Sequence, residues 1–508
     1  MILRTKTVTY TLLGFCFLSA CAPSGGSIEP QAMRESVDKD VAAIYQHGDV
    51  TEDLKLEDVL ARALRFNLDT RVAAYDELIA SGDVTLEALQ TLPSITAKLQ
   101  RVGRSNRGGS SSLSLLTGLE SLQPSISSDQ YRTTQQLNVQ WNLLDAGINV
   151  GRTFSASDRA LIAQERRRKI YHNVVQDAYS AFWRAAAAQA VMPKIVDLLA
   201  RSETQLKKIE EEKNAGLIPL GVAHESRARL LEKRKTLLDL KQGMALAEIE
   251  LKTLIDYPLE QSIKLDPAGD DLMQAKALPV IRGDMDALEL ASLMNRPEIH
   301  EEILNKKISA RDIKLSILET IPGLDLILGF NRDSNSFLAE KSWVDGTVGL
   351  TQSITKIITA PARYNRAKNV DELADRRREA LVAAIMTQVH VARARYDMLA
   401  EAHRISEETD VSTQEIFSRA ANFQTVGMMS KPELLDKEMD ATISRINRIF
   451  SYVSAQDAYG RMIATMGVDL WDADNAGLTV PDFARQIKKN LSREEIFASG
   501  TVDAKGGG

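Results

Sequence analysis

The sequence predicts a mainly α-helical fold, built from two structural repeats, that also contributes short strands to a β-barrel. Three observations predict it. The chain of 508 residues carries the same motifs twice, two long segments are almost free of proline, and four short segments alternate apolar with polar residues. Aromatic residues make up only 5% of the chain while Ala, Leu, Arg, Glu and Lys are abundant, which favours long helices over sandwiches or α/β folds.

Corresponding residues of the two repeats are separated by one of two fixed numbers of positions. Pro93 and Pro322, which end two similar helical segments, lie 229 positions apart, whereas Gly216 and Gly427 lie 211 positions apart. The polar stretch from Ser105 to Gln130 accounts for the difference, because it is much longer than its counterpart in the second copy. Length variation of this kind is typical of an exposed loop. Each copy is therefore predicted as helix, strand, loop, strand, very long helix, tight turn and helix.

The two proline-poor segments predict very long helices. The segment Gly151–Asn214 contains only Pro193, and Arg363–Gln424 contains no proline at all. A helix of about 60 residues is about 90 Å long, more than a compact domain spans, so it must lie against partners as in a coiled coil or a helical tube. Pro193 is expected to bend or interrupt the first helix. A plain coiled-coil rod is the alternative.

Four segments are predicted as strands with one apolar and one polar face. They are Pro93–Arg101, Leu137–Leu143, Leu324–Asn331 and Val348–Ile354. Strands of about ten residues with one apolar face suit an outer-membrane barrel, whose polar face lines water. On this interpretation Asn138, Gln140 and Asn142 face the lumen, and Trp141 and Trp343 lie at the membrane interface.

Four strands cannot close a barrel with an open lumen, so several chains must contribute, because an unpaired strand edge is not tolerated in lipid. The alternative is four half-buried strands of a soluble α+β domain.

The N-terminus predicts export and lipidation. Residues 1–20 combine Arg4 and Lys6 with an apolar run, Leu12–Leu18, as a signal peptide does. The string Leu18-Ser19-Ala20-Cys21 resembles the bacterial lipobox, in which the thiol, here Cys21, is diacylated. An ordinary signal peptide that leaves a free thiol is the alternative. No aspartate follows Cys21, which implies sorting to the outer membrane.

Composition and motifs argue against other classes of function. The net charge of −6 is spread along the chain and the pI is about 5.8, so nucleic acid is not an expected partner. The histidines form no ligand-spaced pair, and the sequence has no Walker-type loop, GxGxxG or GxSxG motif. We therefore predict no catalytic residue, no metal site and no cofactor, and expect a partner to supply the energy for transport.

Together these features resemble the TolC and OprM type of outer-membrane efflux proteins, as a lipoprotein member, over Leu54–Trp471. The resemblance rests on the duplicated helix leading to Leu92-Pro93 and Ile321-Pro322, on the strand-to-helix segment WNLLDAG, and on the glycine turns NAGLIPL and TVGMMSKPELLD. It implies a homotrimer in which three protomers pool four strands each into a twelve-stranded outer-membrane barrel. The long helices would then form a periplasmic tunnel.

The resemblance also implies function and partners. The chain would be the passive exit duct of a tripartite efflux or type I secretion system, driven by an inner-membrane pump of the RND or ABC type. The turn residues Gly216, Leu217, Gly427 and Met428 would dock a periplasmic adaptor protein. On the alternative view these glycines only cap helices. A non-conducting periplasmic coiled-coil scaffold is the competing function.

Glu433 and Asp436 match the region where the family narrows its tunnel. They stand three positions apart on one helix face, so a three-fold axis would turn them into an acidic ring that favours cations. Acidic residues are also ordinary in a first helical turn. The closing contacts of some family members correspond here to Gln424 and Val222, so those contacts do not carry over.

The predicted organisation has six parts. They are a signal peptide (1–20), a lipid anchor and N-terminal collar segment (21–53), repeat 1 (54–257), a linker in the equatorial collar (258–283), repeat 2 (284–471) and a C-terminal tail (472–508) that is expected to be frayed.

Overall fold

The computed structural model describes residues 29–47, 53–121, 123–266, 277–471 and 478–491. The predicted signal peptide, Cys21 and the final glycines lie outside these residues. Within them, no helix is both long and apolar enough to cross a membrane.

The described chain is mostly helical. Its helices are α1 (Pro30–Ala43), α2 (Leu56–Phe66), α3 (Leu68–Leu89), α4 (Leu143–Asn214), α5 (Leu220–Leu254), α6 (Met285–Asn295), α7 (Pro297–Leu318), α8 (Ile354–Thr425), α9 (Lys431–Thr465) and α10 (Val480–Leu491). Its strands are β1 (Ser94–Gly103), β2 (Gly109–Ser110), β3 (Ser125–Ile126), β4 (Tyr131–Asn142), β5 (Gly323–Asp333) and β6 (Ser342–Thr351).

The helices of the two halves have equal lengths. Helices α2 and α6 have 11 residues each, α3 and α7 have 22, α4 and α8 have 72, and α5 and α9 have 35. Helices α6 and α7 begin 229 positions after α2 and α3, while α8 and α9 begin 211 positions after α4 and α5. The prediction of two structural repeats is confirmed, at the two offsets found in the sequence.

The long helices begin directly where the strands end. The side chain of Asn142 accepts a hydrogen bond from the Asp145 N–H at 2.9 Å, and that of Ser353 accepts one from the Lys356 N–H. The last polar residue after each strand is therefore the N-cap of the next helix. Assigning Leu143 and Ile354 to strands was wrong, because both are the first residues of 72-residue helices, each about 110 Å long.

Helix α4 continues through Pro193, so an interruption there is wrong, while the alternative of a bend stays a prediction. A proline inside a helix costs one backbone hydrogen bond and a ring clash. Here Val191 and Ile195 on either side are almost fully buried in the apolar core. Packing along the helix therefore holds it together across the proline.

One antiparallel sheet connects the repeats. Its strand order is β1-β4-β5-β6, and the central pairing of β4 with β5 joins the first repeat to the second. The helices make a matching connection, since α7 packs against α8 of its own repeat and against α4 of the other. Strands β2 and β3 form a separate short ribbon in the loop between β1 and β4.

The segments before α2 and after α9 pack against the middle of the long helices, and we call them the collar. Helix α10 packs against α2 by burying Phe483, Ala484 and Ile487, and Lys488 forms an ion pair with Glu57 at 2.8 Å. The expected fraying of the tail is wrong for these residues, because their amphipathic pattern finds an apolar surface on α2.

The N-terminal segment is also fixed to this collar. Asp256 accepts a hydrogen bond from the Tyr45 N–H at 2.6 Å and lies 2.7 Å from His47 Nδ1. The His47 ring stacks on Phe66. Asp256 has a positive φ of 53° and corresponds to Gly467 of the second repeat, with a φ of 66°. The aspartate therefore keeps a conformation that favours glycine and gains a carboxylate that holds the N-terminal segment.

The second repeat contains a buried ion pair where the first has leucines. Asp410 of α8 and Arg448 of α9 lie 2.9 Å apart, and both side chains are more than nine-tenths buried. Their counterparts 211 positions earlier are Leu199 and Leu237, which are also buried. The helical hairpins α4–α5 and α8–α9 therefore have an apolar pair and an ion pair, respectively, at the same packing position.

We expect Arg448→Leu alone to destabilise the protein by about 3 to 5 kcal/mol, because it leaves Asp410 as a buried unpaired charge. The double variant Asp410→Leu, Arg448→Leu copies the first repeat and is expected to be neutral or stabilising by about 1 to 4 kcal/mol. Thermal unfolding followed by circular dichroism ranks the variants.

The exposed Arg404→Leu is the control and should leave the unfolding midpoint unchanged, since Arg404 lies on the surface of α8. A double variant less stable than Arg448→Leu would contradict the expectation.

Candidate channel wall and docking turns

The central strand β5 exposes apolar residues on one face and buries residues of its polar face. In β5 the polar-face residues Gly329 and Asn331 are buried, whereas Leu328 and Phe330 on the other face are both 43% exposed. A water-soluble sheet shows the opposite arrangement. The burial pattern therefore indicates a sheet that curves toward its polar face.

The predicted lumen residues Asn138, Gln140 and Asn142 lie together on this polar face. Directly opposed residues in an antiparallel pair point to the same side, and Asn138 is opposite Gly329 while Asn142 is opposite Asp325. The Asn142 amide donates a hydrogen bond to the Asp325 carboxylate at 2.8 Å.

The same face carries a polar network that the sequence analysis did not single out. The Asn331 amide donates to the Asp345 carboxylate at 3.1 Å, and Arg132 lies 3.5 Å from Asp333. Strict alternation along β5 and β6 is the signal that finds these residues. Trp343 is opposite Asn331, which puts it on the polar face. The prediction that Trp343 lies in a membrane interface belt is therefore wrong, because its position in the alternation is that of the polar residues.

Both outer strands of the sheet have an open edge. Among the described residues, β1 pairs only with β4 and β6 pairs only with β5. The apolar residues near these edges are the most exposed of the strands, with Leu99 at 74% and Leu350 at 77%. A long apolar edge in this state is a template for pairing with another strand.

The two periplasmic turn candidates have the same backbone geometry. Gly216 has a φ of 66° and Gly427 a φ of 76°. The N–H of Leu217 donates to the Glu212 carbonyl, and the N–H of Met428 donates to the Phe423 carbonyl, both at 2.9 Å. These bonds, with those from the glycine N–H groups, form the Schellman motif, in which glycine takes the left-handed conformation at the end of a helix.

The turns expose apolar side chains. Leu217 is 73% exposed and Met428 is 78% exposed, and Val426 beside them is 68% exposed. Glycine accounts for the backbone reversal, but the helix caps need no exposed leucine or methionine. The apolar tips are therefore available to a partner.

Glu433 caps the helix on which it lies. Its carboxylate accepts hydrogen bonds from the N–H and the hydroxyl of Ser430, at 3.0 and 2.8 Å, in a capping box. The bond from the Ser430 N–H, followed by that from its hydroxyl, holds the pKa of Glu433 below its usual range. The carboxylate is exposed and charged, and it has the structural role that acidic residues have in a first turn.

Asp436 has a cationic partner within the chain. Lys233 of α5 lies 2.5 Å from Asp436 and 2.7 Å from Asp440, both on α9. The sequence analysis missed Lys233 because it is 203 positions away from Asp436. The lysine ties the two hairpins together and offsets part of the negative charge that an acidic ring would use.

Val222 and Gln424, which correspond to the closing contacts of some efflux proteins, are both near the turns. Val222 is 50% exposed in the first turns of α5, and the Gln424 carbonyl accepts the Gly427 N–H in the Schellman motif. Among the described residues, no group of three or more His, Cys, Asp and Glu side chains is arranged to hold a metal ion.

One protein-family model matches part of the chain. Residues 59–255 match the family model described as Outer membrane efflux protein. The match begins within α2 and ends just after α5, so it coincides with the first repeat. No curated protein sequence matches the chain.

Solved structures of outer-membrane channels have the same fold. OprN is 17% identical with a TM-score of 0.62, over 82% of this chain and 90% of that one. CmeC of Campylobacter jejuni is 13% identical with a TM-score of 0.62, over 86% and 89%. MtrE of Neisseria gonorrhoeae, in its open state, is 18% identical with a TM-score of 0.61, over 83% and 94%. The predicted fold class, a helical tunnel with a β-barrel, is confirmed.

We expect Gly216→Ala and Gly427→Ala to loosen the turns, because a side chain in the left-handed conformation costs about 1 to 2 kcal/mol. Hydrogen exchange measured by mass spectrometry should become about tenfold faster in the peptides that contain each turn. Gly221→Ala is the matched control, since Gly221 is helical and has open space around it. Equal exchange in the control and the turn variants would contradict this expectation.

Proposed function

We propose that this chain, whose residues 59–255 match the model of the outer membrane efflux protein family, is the outer-membrane channel of an efflux system. Small solutes or drugs would leave the cell through it, and the chain itself would be a passive conduit. The observation that carries the proposal is the sheet that buries Asn331 and exposes Leu328 and Phe330. Such a sheet suits lipid outside and water inside.

The duplication supports a homotrimer, or at least a closed ring of copies. Two contacts between the repeats lack their counterparts among the described residues. Strand β4 pairs with β5, but β6 and β1 are both open. Helix α7 packs on α4, but its counterpart α3 does not pack on α8, the counterpart of α4. A neighbouring copy that supplies β1 and α3 to β6 and α8 completes both, and repetition of one such contact closes a ring. Three copies with four strands each give the twelve-stranded barrel of the fold.

The duplication also fixes the register between copies. Within the chain, Gln140 of β4 is opposite Ile327 of β5. The residue of β6 that corresponds to Gln140 is Thr351, 211 positions later, and the residue of β1 that corresponds to Ile327 is Lys98, 229 positions earlier. Thr351 of one copy would therefore lie opposite Lys98 of the next copy. The same conversion of Thr134 and Asp333 gives Asp345 opposite Arg104, which are oppositely charged. In both pairs the two residues lie on the polar face, as a continuous sheet requires.

The helical contact between copies is more apolar than its counterpart within the chain. Within the chain, Glu301 of α7 contacts Arg166 of α4, and Arg311 contacts Asp158. The counterparts of Glu301 and Arg311 in α3 are Val72 and Gly82. An apolar stripe runs along α3 at heptad spacing, interrupted only at Gly82. Its residues are between 47% and 66% exposed and are Leu68, Val72, Tyr75, Ile79, Leu86 and Leu89. This heptad pattern fits a neighbouring helix.

The two exposed turns support an adaptor as partner. Gly216 and Gly427 fold the tips, while Leu217 and Met428 give them apolar surfaces at one end of the molecule, far from the sheet. We propose that a periplasmic adaptor binds these tips and connects the channel to an inner-membrane pump, of the RND or ABC type. The chain carries no nucleotide-binding motif, so transport energy would come from the pump.

The N-terminal residues support a lipid anchor at Cys21 in the outer membrane. The collar segment at Tyr45 and His47 is held by Asp256. We keep the proposed bounds of the parts: signal peptide 1–20, anchor and collar segment 21–53, repeats 54–257 and 284–471 joined by the collar linker 258–283, and tail 472–508.

Cysteine pairs test the register between copies. Thr351→Cys with Lys98→Cys in one chain should form disulfides between neighbouring copies, so that oxidised protein migrates as a covalent trimer in a non-reducing denaturing gel. Thr351→Cys with Gln100→Cys is the matched control, two residues out of register, and should cross-link far less. Trimers from the control alone would refute the register, and monomers from both variants would refute the ring.

Ion selectivity in planar bilayers tests the conduit and the acidic ring together. Glu433→Ala with Asp436→Ala should raise conductance and lower the cation-to-anion permeability ratio by about fivefold, the effect of removing one nearby charge in water-like surroundings. Lys233→Met should shift the ratio in the opposite direction, because it frees Asp436 and Asp440.

Each negative outcome has its own meaning. Unchanged selectivity in both variants would remove the acidic ring and leave the channel. Persistent absence of conductance in the parent and in both variants would instead favour a non-conducting scaffold.

A further inference from the structure

A two-stranded ribbon extends the sheet on the side opposite the turns. The Arg104 N–H donates to the Gln130 carbonyl at 3.0 Å, directly beyond the last pair of β1 with β4. Strands β2 and β3 continue the ribbon, and Leu113 forms a bridge with Glu120 near its tip. The ribbon thus continues from the ends of β1 and β4, and its tip is not packed on the sheet, since Leu115 and Leu116 are almost fully exposed.

The tip of this ribbon is an exposed apolar cluster. Its four leucines are Leu113, Leu115, Leu116 and Leu119, exposed to 67%, 101%, 98% and 70%. No charged residue occurs from Gly108 to Leu119, and the carboxylate of Glu120 accepts a hydrogen bond from the Ser111 hydroxyl. A cluster of this kind on a protein surface marks a contact site.

The base of the ribbon is held by the short loop of the second repeat. The Asn335 amide donates to the Ser127 carbonyl at 3.1 Å, and its oxygen accepts the Asp129 N–H at 3.0 Å. The Ser336 hydroxyl donates to the Asp129 carboxylate at 2.7 Å. In a ring of identical copies, the base of each ribbon would therefore be held at the same level of the barrel.

We propose that the ribbons of the three copies meet at their leucine tips over the outer mouth of the barrel and close it. The occupant of each apolar tip is the same tip of the other two copies. This inference rests on the trimeric channel proposed above and adds to it an outer closure, separate from the periplasmic end.

The dimensions allow the tips to meet. An extended strand from Gly103 to Leu116 reaches up to about 43 Å, at about 3.3 Å per residue. A twelve-stranded barrel with strands about 4.8 Å apart and tilted by about 40° has a radius of about 12 Å. The second repeat has only the short loop between β5 and β6, so a trimer brings three long ribbons to the mouth, and three tips fit around one axis.

The composition of the tip favours this occupant over a bilayer. No Lys, Arg, Trp or Tyr occurs from Gly108 to Ile126, and these residues are the ones that anchor segments at a membrane interface. Binding of the tip to lipid is therefore an outcome of the test.

Labelling of a lumen cysteine from outside the cell tests the closure. In a Cys16→Ser background, Asn138→Cys lies on the polar face, and intact cells are treated with a membrane-impermeant maleimide. We expect slow labelling in the parent and at least about tenfold faster labelling when Leu115→Ser and Leu116→Ser are added, because a closed mouth opens only as a minor state of about 10% or less. Phe337→Cys, in the exposed short loop, should be labelled at one rate in both backgrounds and controls for expression and assembly.

The outcomes separate this inference from the proposed function. Fast labelling of Asn138→Cys in the parent overturns the closure and leaves the channel intact. Labelling that stays slow even when residues 109–126 are replaced by a short polar loop means that the polar face is not reached by outside water, and the channel fails with the closure.

A second measurement addresses the occupant directly. Leu116→Cys should be linked between copies by a short bismaleimide, giving covalent dimers in a denaturing gel. A fluorophore on the same cysteine that is quenched by spin-labelled lipids, without such dimers, would show bilayer binding and overturn the proposal.

Discussion

A strand edge cannot be left unpaired inside a bilayer, because each free N–H and C=O group there costs several kcal/mol. The sheet of this chain ends in two such edges, β1 and β6, with Leu99 and Leu350 exposed beside them. The apolar face of the sheet is suited to lipid, and in lipid the unpaired backbone groups of the two edges would have to find partners. The proposed oligomeric closure and water-filled interior both follow from this one requirement.

The internal duplication supplies a partner for each open edge. The helix contact within one chain and the corresponding contact proposed between copies differ in their chemistry. Between repeats of one chain, α7 meets α4 through ion pairs such as Arg166 with Glu301. At the proposed contact between copies, α3 would present Val72 and its apolar neighbours. Ion pairs within a folded chain form between groups that are already held together, whereas association of separate copies must overcome lost freedom and gains most from apolar burial. The apolar stripe on α3 therefore has the chemistry that association of separate copies requires.

The sequence predicts most of this fold because its two offsets are properties of chain length, and an offset survives even where residue identities diverge. Pro93 and Pro322 located the ends of corresponding helices, and Gly216 and Gly427 located the turns. The same reasoning failed where local pattern competes with packing: alternation extended the strands into Leu143 and Ile354, and Pro193 suggested a break that buried neighbours prevent. Lys233 could not be found at all, since only the folded hairpins bring it to Asp436.

The charged groups near the turns make the two hairpins one mechanical unit. Glu438 of α9 is bonded by Lys194 and Arg201 of α4, and Lys233 of α5 holds Asp436 of the same helix. The hydrogen bond from Arg201, with that from Lys194, keeps the pKa of Glu438 below its usual range, so the carboxylate stays charged in neutral water. Helix α9 is thus attached to both helices of the first hairpin within a few turns of its start. In the proposed channel, a partner that binds only one tip would therefore also pull on the other through these bonds, and opening at this end would either move both hairpins together or break this cluster.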